Sequence, residues 1–115
     1  MLKINPLAVV LWTFRRNEND VVNLYNTLSP VMQLTTGGNM LNFGYWSKEE
    51  TSPIDAQNRL CDKVGKIAEL DSANSLLDVG SGLSSPAIMW SMFYPDIDIS
   101  CVNINYTQYN LGKKL

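Results

Sequence analysis

The chain has 115 residues, 45% of them apolar and 17% charged, with a formal net charge of −2 and no histidine. That length suits one domain rather than two, and the apolar share can build a core, which excludes wholesale disorder. Nine basic against 11 acidic side chains is not the footprint of a nucleic-acid binder, and the missing histidine removes Ser-His-Asp and Cys-His catalysis, His-ligated zinc and any imidazole base.

Leu7–Trp12 is the longest apolar run, closed by Phe14 and then Arg15-Arg16. It is too short to span a bilayer, and no small-residue cleavage site follows. The expectation is a segment packed on the core of a soluble, cytoplasmic protein without stable membrane insertion. Contact with a membrane surface or a lipid-like substrate is the alternative. Asn19 or Asp20 can cap a helix whose apolar face is Val21, Leu24, Tyr25 and Leu28. Ser29-Pro30 should interrupt it, because proline disfavours helix for the residue before it. Val31, Met32 and Leu34 then run into Gly37-Gly38, a stop or tight loop. The aromatic, glycine-punctuated stretch from Asn39 to Trp46 has no helix or strand period and reads as loop.

Ser52-Pro53-Ile54-Asp55 is a strong helix start, with serine as cap, proline at the first helical position and an acid in the first turn. Ala56, Leu60, Val64, Ile67 and Ala68 line one face of the helix that follows, ending near Leu70. Gly65 within it costs about 1 kcal/mol against alanine, so it either weakens the helix or permits close packing. Cys61 and Cys101 show no CxxC pattern and are expected as reduced, buried thiols.

Ser75–Val79 reads as a short buried strand leading straight into Gly80-Ser81-Gly82. Ser84 or Ser85 can cap a helix that carries Pro86 and runs to Phe93, and the β-branched stretch from Ile97 to Ile104 reads as a second strand. Strand, glycine turn, helix and strand in this span make one βαβ unit, whose right-handed crossover would set the strands parallel. The turn then lies at the carboxyl edge of the sheet, where open α/β folds bind ligands. Glycines at 80 and 82 let backbone pass close to a ligand. A lone GxG is weak, but Asp78 before it would repel a pyrophosphate and suit an ammonium group. Ser85 also stands where the dinucleotide fingerprint has glycine. Both points favour S-adenosylmethionine over a dinucleotide; the structural alternative for Asp78 is a cap on the turn or helix.

The stretch from Leu76 to Ala87, LLDVGSGLSSPA, resembles motif I of the class I S-adenosylmethionine-dependent methyltransferases, in the DVGSGLGGPA form found among sterol, quinone, phosphoethanolamine and macrolide enzymes. Tyr25-Asn26-Thr27-Leu28-Ser29 resembles the YDxxS element of that group, and Gly37 to Trp46 its GxxxHxGYW element. The resemblance runs from about Asp20 onward and implies an α/β, Rossmann-like methyltransferase fold, incomplete here, with N-terminal helices and a first βαβ unit. It implies a helical and loop cap over residues 1–50 and the first half of the cofactor domain over 51–115. It also implies S-adenosylmethionine as cofactor, with Asp78, Gly80, Ser81 and Gly82 at its methionine and ribose portions. Tyr25, Tyr45 and Trp46 would close over the methionine end. Asn103 falls where the family usually places an acid for the ribose hydroxyls, and Gln108 fits the glutamine that some lipid-modifying members carry five residues on. Aromatic packing in the core is the alternative role for Tyr25, Tyr45 and Trp46. Three positions depart from the pattern: Ser84-Ser85 for Gly-Gly, Asn42 for a histidine and Asn26 for an aspartate.

Methyl transfer from a sulfonium is an in-line displacement, so a base is needed only where the acceptor must lose a proton. The residues that choose the acceptor normally follow the second strand in this family. The expectation is therefore the cofactor-binding half of a small-molecule or lipid methyltransferase, inactive alone, with the missing C-terminal half or another chain as a partner. A non-catalytic interaction module that retains the βαβ unit is the alternative. A nicotinamide oxidoreductase is disfavoured by Asp78, Ser85 and Asn103.

Overall fold

The computed structural model describes residues 6–14, 17–48 and 52–115. Arg15-Arg16, which close the first apolar run, lie outside them. In chain order the elements are α1 (Pro6–Leu11) with a 3₁₀ turn over Trp12–Phe14, then α2 (Glu18–Thr36) and α3 (Pro53–Ile67). After these come β1 (Ser75–Val79), α4 (Ser85–Phe93), β2 (Asp98–Val102) and α5 (Tyr106–Gly112). Where side chains of the first segment are described, Leu7, Val10 and Phe14 are exposed, so they do not pack on the core as expected.

Helix α2 is capped by Asn17, whose side chain accepts from the Asp20 amide, rather than by Asn19 or Asp20. It runs through Pro30 to Gly37, where a left-handed C-cap (φ 75°) stops it. Pro30 does not break it, although proline leaves the Asn26 carbonyl without its usual helical donor. Tertiary hydrogen bonds hold the helix on both sides of that gap, one to the Asn26 side chain from Asn105 and one to the Ser29 hydroxyl from Gln108. Ser29 in turn donates to the Tyr25 carbonyl at 2.6 Å.

Helix α3 begins as its sequence dictates, with the Ser52 hydroxyl accepting from the Asp55 amide and Pro53 just inside. The loop from Asn39 to Ser47 lies against it. Buried Gln57 donates from Nε2 to the carbonyls of Met40 and Asn42 (2.9 and 2.8 Å), and the Tyr45 amide donates to the Ala56 carbonyl at 2.8 Å. Gly44 makes that contact possible. Its φ is +78°, and an added Cβ would stand 2.6 Å from the Ala56 Cβ.

Strands β1 and β2 pair in parallel, with Ser75 opposite Asp98 and Val79 opposite Val102. On one face Leu76 and Ile99 pack with Ala73 and Tyr94 around buried Leu70, Trp90 and Ile97. Gly65 settles its two readings in favour of close packing: a Cβ there would lie 3.1 Å from Trp90 Nε1 and 3.2 Å from the Tyr94 hydroxyl. The same indole N–H donates to the Cys61 carbonyl at 3.0 Å, fastening α4 to α3. Of the two free cysteines Cys61 is buried and Cys101 exposed, so only one matches the expectation. No helix among the described residues is long and apolar enough to cross a membrane.

Candidate cofactor site

The parallel pairing places the turn after β1 beside the end of β2. The Gly80 and Ser81 amides both donate to the Val102 carbonyl, at 2.7 and 3.2 Å. Gly80 (φ +80°) and Gly82 (φ +60°) take left-handed backbone, which only glycine adopts cheaply. Nothing lies within 4 Å of a Cβ built on Gly80, so the turn leaves room on that side. Gly82 instead receives the side chain of Leu41 at 3.4 Å.

Above the turn opens a cavity of about 350 Å³, within the range that holds small ligands. Helix α2 contributes Val21, Val22 and Tyr25, and the loop after it Asn39, Leu41 and Asn42. The turn and the start of α4 add Gly80 to Leu83 and Pro86. The end of β2 and α5 supply Asn103 to Asn105 and Gln108. Six of the residues singled out in the sequence thus come together: Tyr25, Gly80, Ser81, Gly82, Asn103 and Gln108. Tyr45, Trp46 and Asp78 do not line the cavity. The Tyr45 ring lies under the Lys63 ammonium, 3.8 Å from its centroid, and the Trp46 indole donates to the Phe43 carbonyl. Asp78 shares the covered face of β1 with Leu76, half-buried, where desolvation raises its carboxyl above the ordinary value. Its charge adds to the burial that pushes the Cys61 thiol up to about 11.

The floor at the end of β2 is a chain of neutral hydrogen bonds. Asn103 uses both amide protons inside the protein, one to the Gly82 carbonyl (2.8 Å) and one to Gln108 Oε1 (2.9 Å), while its Oδ1 accepts from the Asn105 amide. One lone pair on Oδ1 remains for a ligand hydroxyl. Buried Gln108 also donates from Nε2 to Ser29 Oγ at 2.8 Å. It therefore holds Asn103 and α2 in place. Asn105, which sequence reasoning passed over, is the deepest member. Its Oδ1 caps α5 by accepting from the Thr107 and Gln108 amides, and its Nδ2 reaches Asn26 Oδ1 at 3.0 Å. The cap spacing was visible in the sequence; the partner 79 residues away was not.

The departures from the motif now have structural meaning. Asn26 works as the acceptor for Asn105. Asn42 lines the cavity and folds the loop by accepting from the Gly44 amide at 2.9 Å. Ser84 sits in left-handed backbone (φ 60°) with no side-chain cap bond, a place where glycine would be relaxed. The neighbouring Ser85 hydroxyl is buried without a partner among the described residues.

Among the described residues, no ionised side chain lines this cavity. It offers the hydroxyls of Tyr25 and Ser81 and the amides of Asn39 and Asn42, set among valines, leucines and proline. Such a lining fits a ligand with an amino-acid head, a ribose and an apolar ring, and it gives no cation for phosphates.

No protein-family profile matches the chain. Among curated proteins it is similar to 27-O-demethylrifamycin SV methyltransferase of Amycolatopsis mediterranei, 31% identical over 70 residues that cover 61% of this chain and 25% of that protein. It is also similar to erythromycin 3''-O-methyltransferase of Saccharopolyspora erythraea, 26% identical over 80 residues that cover 70% of this chain and 26% of that protein. The chain thus spans about a quarter of the length of these relatives. Among solved structures, the [4+2]-cyclase SpnF superposes with a TM-score of 0.75 at 27% identity, over 86% of this chain and 37% of its own. By sequence and by fold the chain is similar to part of the Rossmann-like domain of the class I S-adenosylmethionine-dependent methyltransferases.

Proposed function

We propose that the chain binds S-adenosylmethionine in the cavity over the Gly80–Gly82 turn, as the cofactor-binding part of an enzyme that methylates a small-molecule or lipid-like acceptor. The observation that carries this reading is the open space over Gly80, at the mouth of an uncharged cavity that also holds Ser81 and Asn103. When bound, the cofactor supplies an electrophilic methyl group. The residues of this chain bind and orient. Gly80 lets the ligand approach the backbone of the turn, Asn103 offers its remaining lone pair to a ribose hydroxyl, and Tyr25 covers the cavity from α2. Val21, Val22 and Leu41 exclude water from it. Asp78, two residues before Gly80 on β1, is the acid that would favour a ligand carrying a positive charge.

Both named relatives transfer to oxygen, which makes a hydroxyl of a small natural product the acceptor we propose. SpnF is a [4+2]-cyclase, so the fold alone does not fix the reaction. No residue described here is assigned as the base. Titration calorimetry with S-adenosylmethionine and, separately, NAD tests the reading. Heat of binding with the first and none with the second supports it. Binding of NAD without S-adenosylmethionine overturns it.

A further inference from the structure

Four hydrogen bonds run in one direction from the end of β2 to α2. The Asn105 amide donates to Asn103 Oδ1 (3.0 Å), and Asn103 Nδ2 donates to Gln108 Oε1 (2.9 Å). Gln108 Nε2 then donates to Ser29 Oγ (2.8 Å), and the Ser29 hydroxyl to the Tyr25 carbonyl (2.6 Å). Backbone groups fix this direction at both ends. The Asn105 amide can only donate, and the carbonyls of Gly82 and Tyr25 can only accept, so turning either side-chain amide over would set like against like. Bonds aligned in this way polarise one another, so a donor added at the head strengthens the links that follow. The head is Asn103 Oδ1, whose remaining lone pair faces a ligand hydroxyl.

The tail lies on α2, the wall of the cavity that carries Val21, Val22 and Tyr25. That helix rests lightly on the protein: of its 19 residues only Leu24, Ser29 and Met32 are buried. Two side chains reach it from the floor. Gln108, 5% exposed, bonds to Ser29, while Asn105, 2% exposed, bonds to Asn26 Oδ1 (3.0 Å) and the Val22 carbonyl (3.4 Å). Positions 22, 26 and 29 fall on one face of the helix, so the floor grips α2 along a single line.

We propose that Gln108 is a positioning residue that couples the hydroxyl-accepting end of the cavity to its α2 wall. A ribose hydroxyl on Asn103 Oδ1 tightens the Gln108–Ser29 link and seats Val21, Val22 and Tyr25 over the ligand. This coupling presupposes that S-adenosylmethionine occupies the cavity, as proposed above, and gives its ribose hydroxyls a second role, in seating the wall.

The test saturates the isotopically labelled chain in turn with S-adenosylmethionine and with its 2',3'-dideoxy form, and follows amide hydrogen exchange from Asn26 to Ser29. One neutral hydrogen bond shifts an equilibrium roughly two- to tenfold. The hydroxyl-bearing ligand should therefore slow exchange there at least about twofold more than the dideoxy form. Q108L cuts the row in its middle and S29A removes its acceptor on α2, so each should bring the two ligands to equal protection. Alanine suits a helix interior, so S29A keeps the assay open if Q108L does not fold. If the dideoxy form binds too weakly to saturate, loss of the same factor from S-adenosylmethionine protection in S29A decides. Gln108 acting as packing alone would alter exchange in the ligand-free and bound states alike and leave the difference between ligands intact. Equal protection by both ligands in the unaltered chain overturns the coupling, as does a difference that survives in S29A. Failure of S-adenosylmethionine to bind overturns the cofactor reading and the coupling together, whereas binding with equal protection overturns the coupling alone.

Discussion

Two glycines with nearly the same backbone angle should respond differently to the same substitution. Gly44 and Gly80 have φ of +78° and +80°. An alanine at either position takes on the left-handed penalty of roughly 1–2 kcal/mol. At Gly80 that is the whole cost, because a Cβ there meets nothing within 4 Å. At Gly44 the Cβ would lie 2.6 Å from the Ala56 Cβ and 2.7 Å from its carbonyl carbon. Relieving that overlap moves the loop off α3, strains the Tyr45–Ala56 hydrogen bond and adds about 1–3 kcal/mol for overpacking. G80A should therefore cost about 1–2 kcal/mol and G44A about 2–5 kcal/mol. At about 4 °C per kcal/mol for a chain near this size, the Tm should fall by roughly 4–8 °C and 8–20 °C respectively. Thermal unfolding followed by circular dichroism measures both. Ligand affinity should show the opposite order per unit of stability lost, because the Gly80 Cβ would project into the space assigned to the cofactor. Equal Tm losses, or a G80A protein that binds S-adenosylmethionine as well as the parent, would refute the reasoning.

Three further outcomes follow from the same geometry. S84G should stabilise the chain by about 0.5–1 kcal/mol in urea unfolding, since it relieves left-handed strain and gives up only a long hydroxyl contact of 3.4 Å to Ser81; a destabilised variant would show that the serine is not strained. In the native protein at pH 7.5 a thiol reagent should label Cys101 fast and Cys61 slowly, because burial holds the Cys61 thiol protonated up to about pH 11; equal rates would contradict this. Asp78 has a carboxyl raised by desolvation, so the folded state holds its proton more tightly than the unfolded one and loses stability as pH rises from the unfolded value through the folded one. D78N should therefore raise the Tm at pH 7 and change it little at pH 3, and a lowered Tm at pH 7 would contradict that environment for Asp78.

Local chemistry made much of this legible in advance. Ser52-Pro53 with Asp55 started α3 where expected, the run from Ser75 to Val79 matched β1 in its bounds although the strand is half-exposed rather than buried as expected, and the glycine turn fell between strand and helix. What failed was decided by partners distant in sequence. Pro30 should stop a helix by local rules, yet bonds from Asn105 and Gln108 hold α2 straight through it. Tyr45 and Trp46 looked like a lid, but Gly44 turns the loop against α3 and carries both away from the cavity lining. Asn103 was legible as the residue that follows the second strand beside the turn. That both its amide protons are spent inside the protein depends on where the turn and α5 come to rest, which no local pattern records.

The central claim is that the Gly80–Gly82 turn and the neutral cavity above it receive S-adenosylmethionine. Amide chemical shifts recorded while the cofactor is titrated into the isotopically labelled chain test it residue by residue. The account predicts saturable shifts at Gly80, Ser81, Gly82, Tyr25 and Asn103, with Tyr106 and Tyr109 on the exposed side of α5 unmoved, and no such pattern with NAD. Shifts that avoid the turn, or the same shifts with NAD, would contradict it.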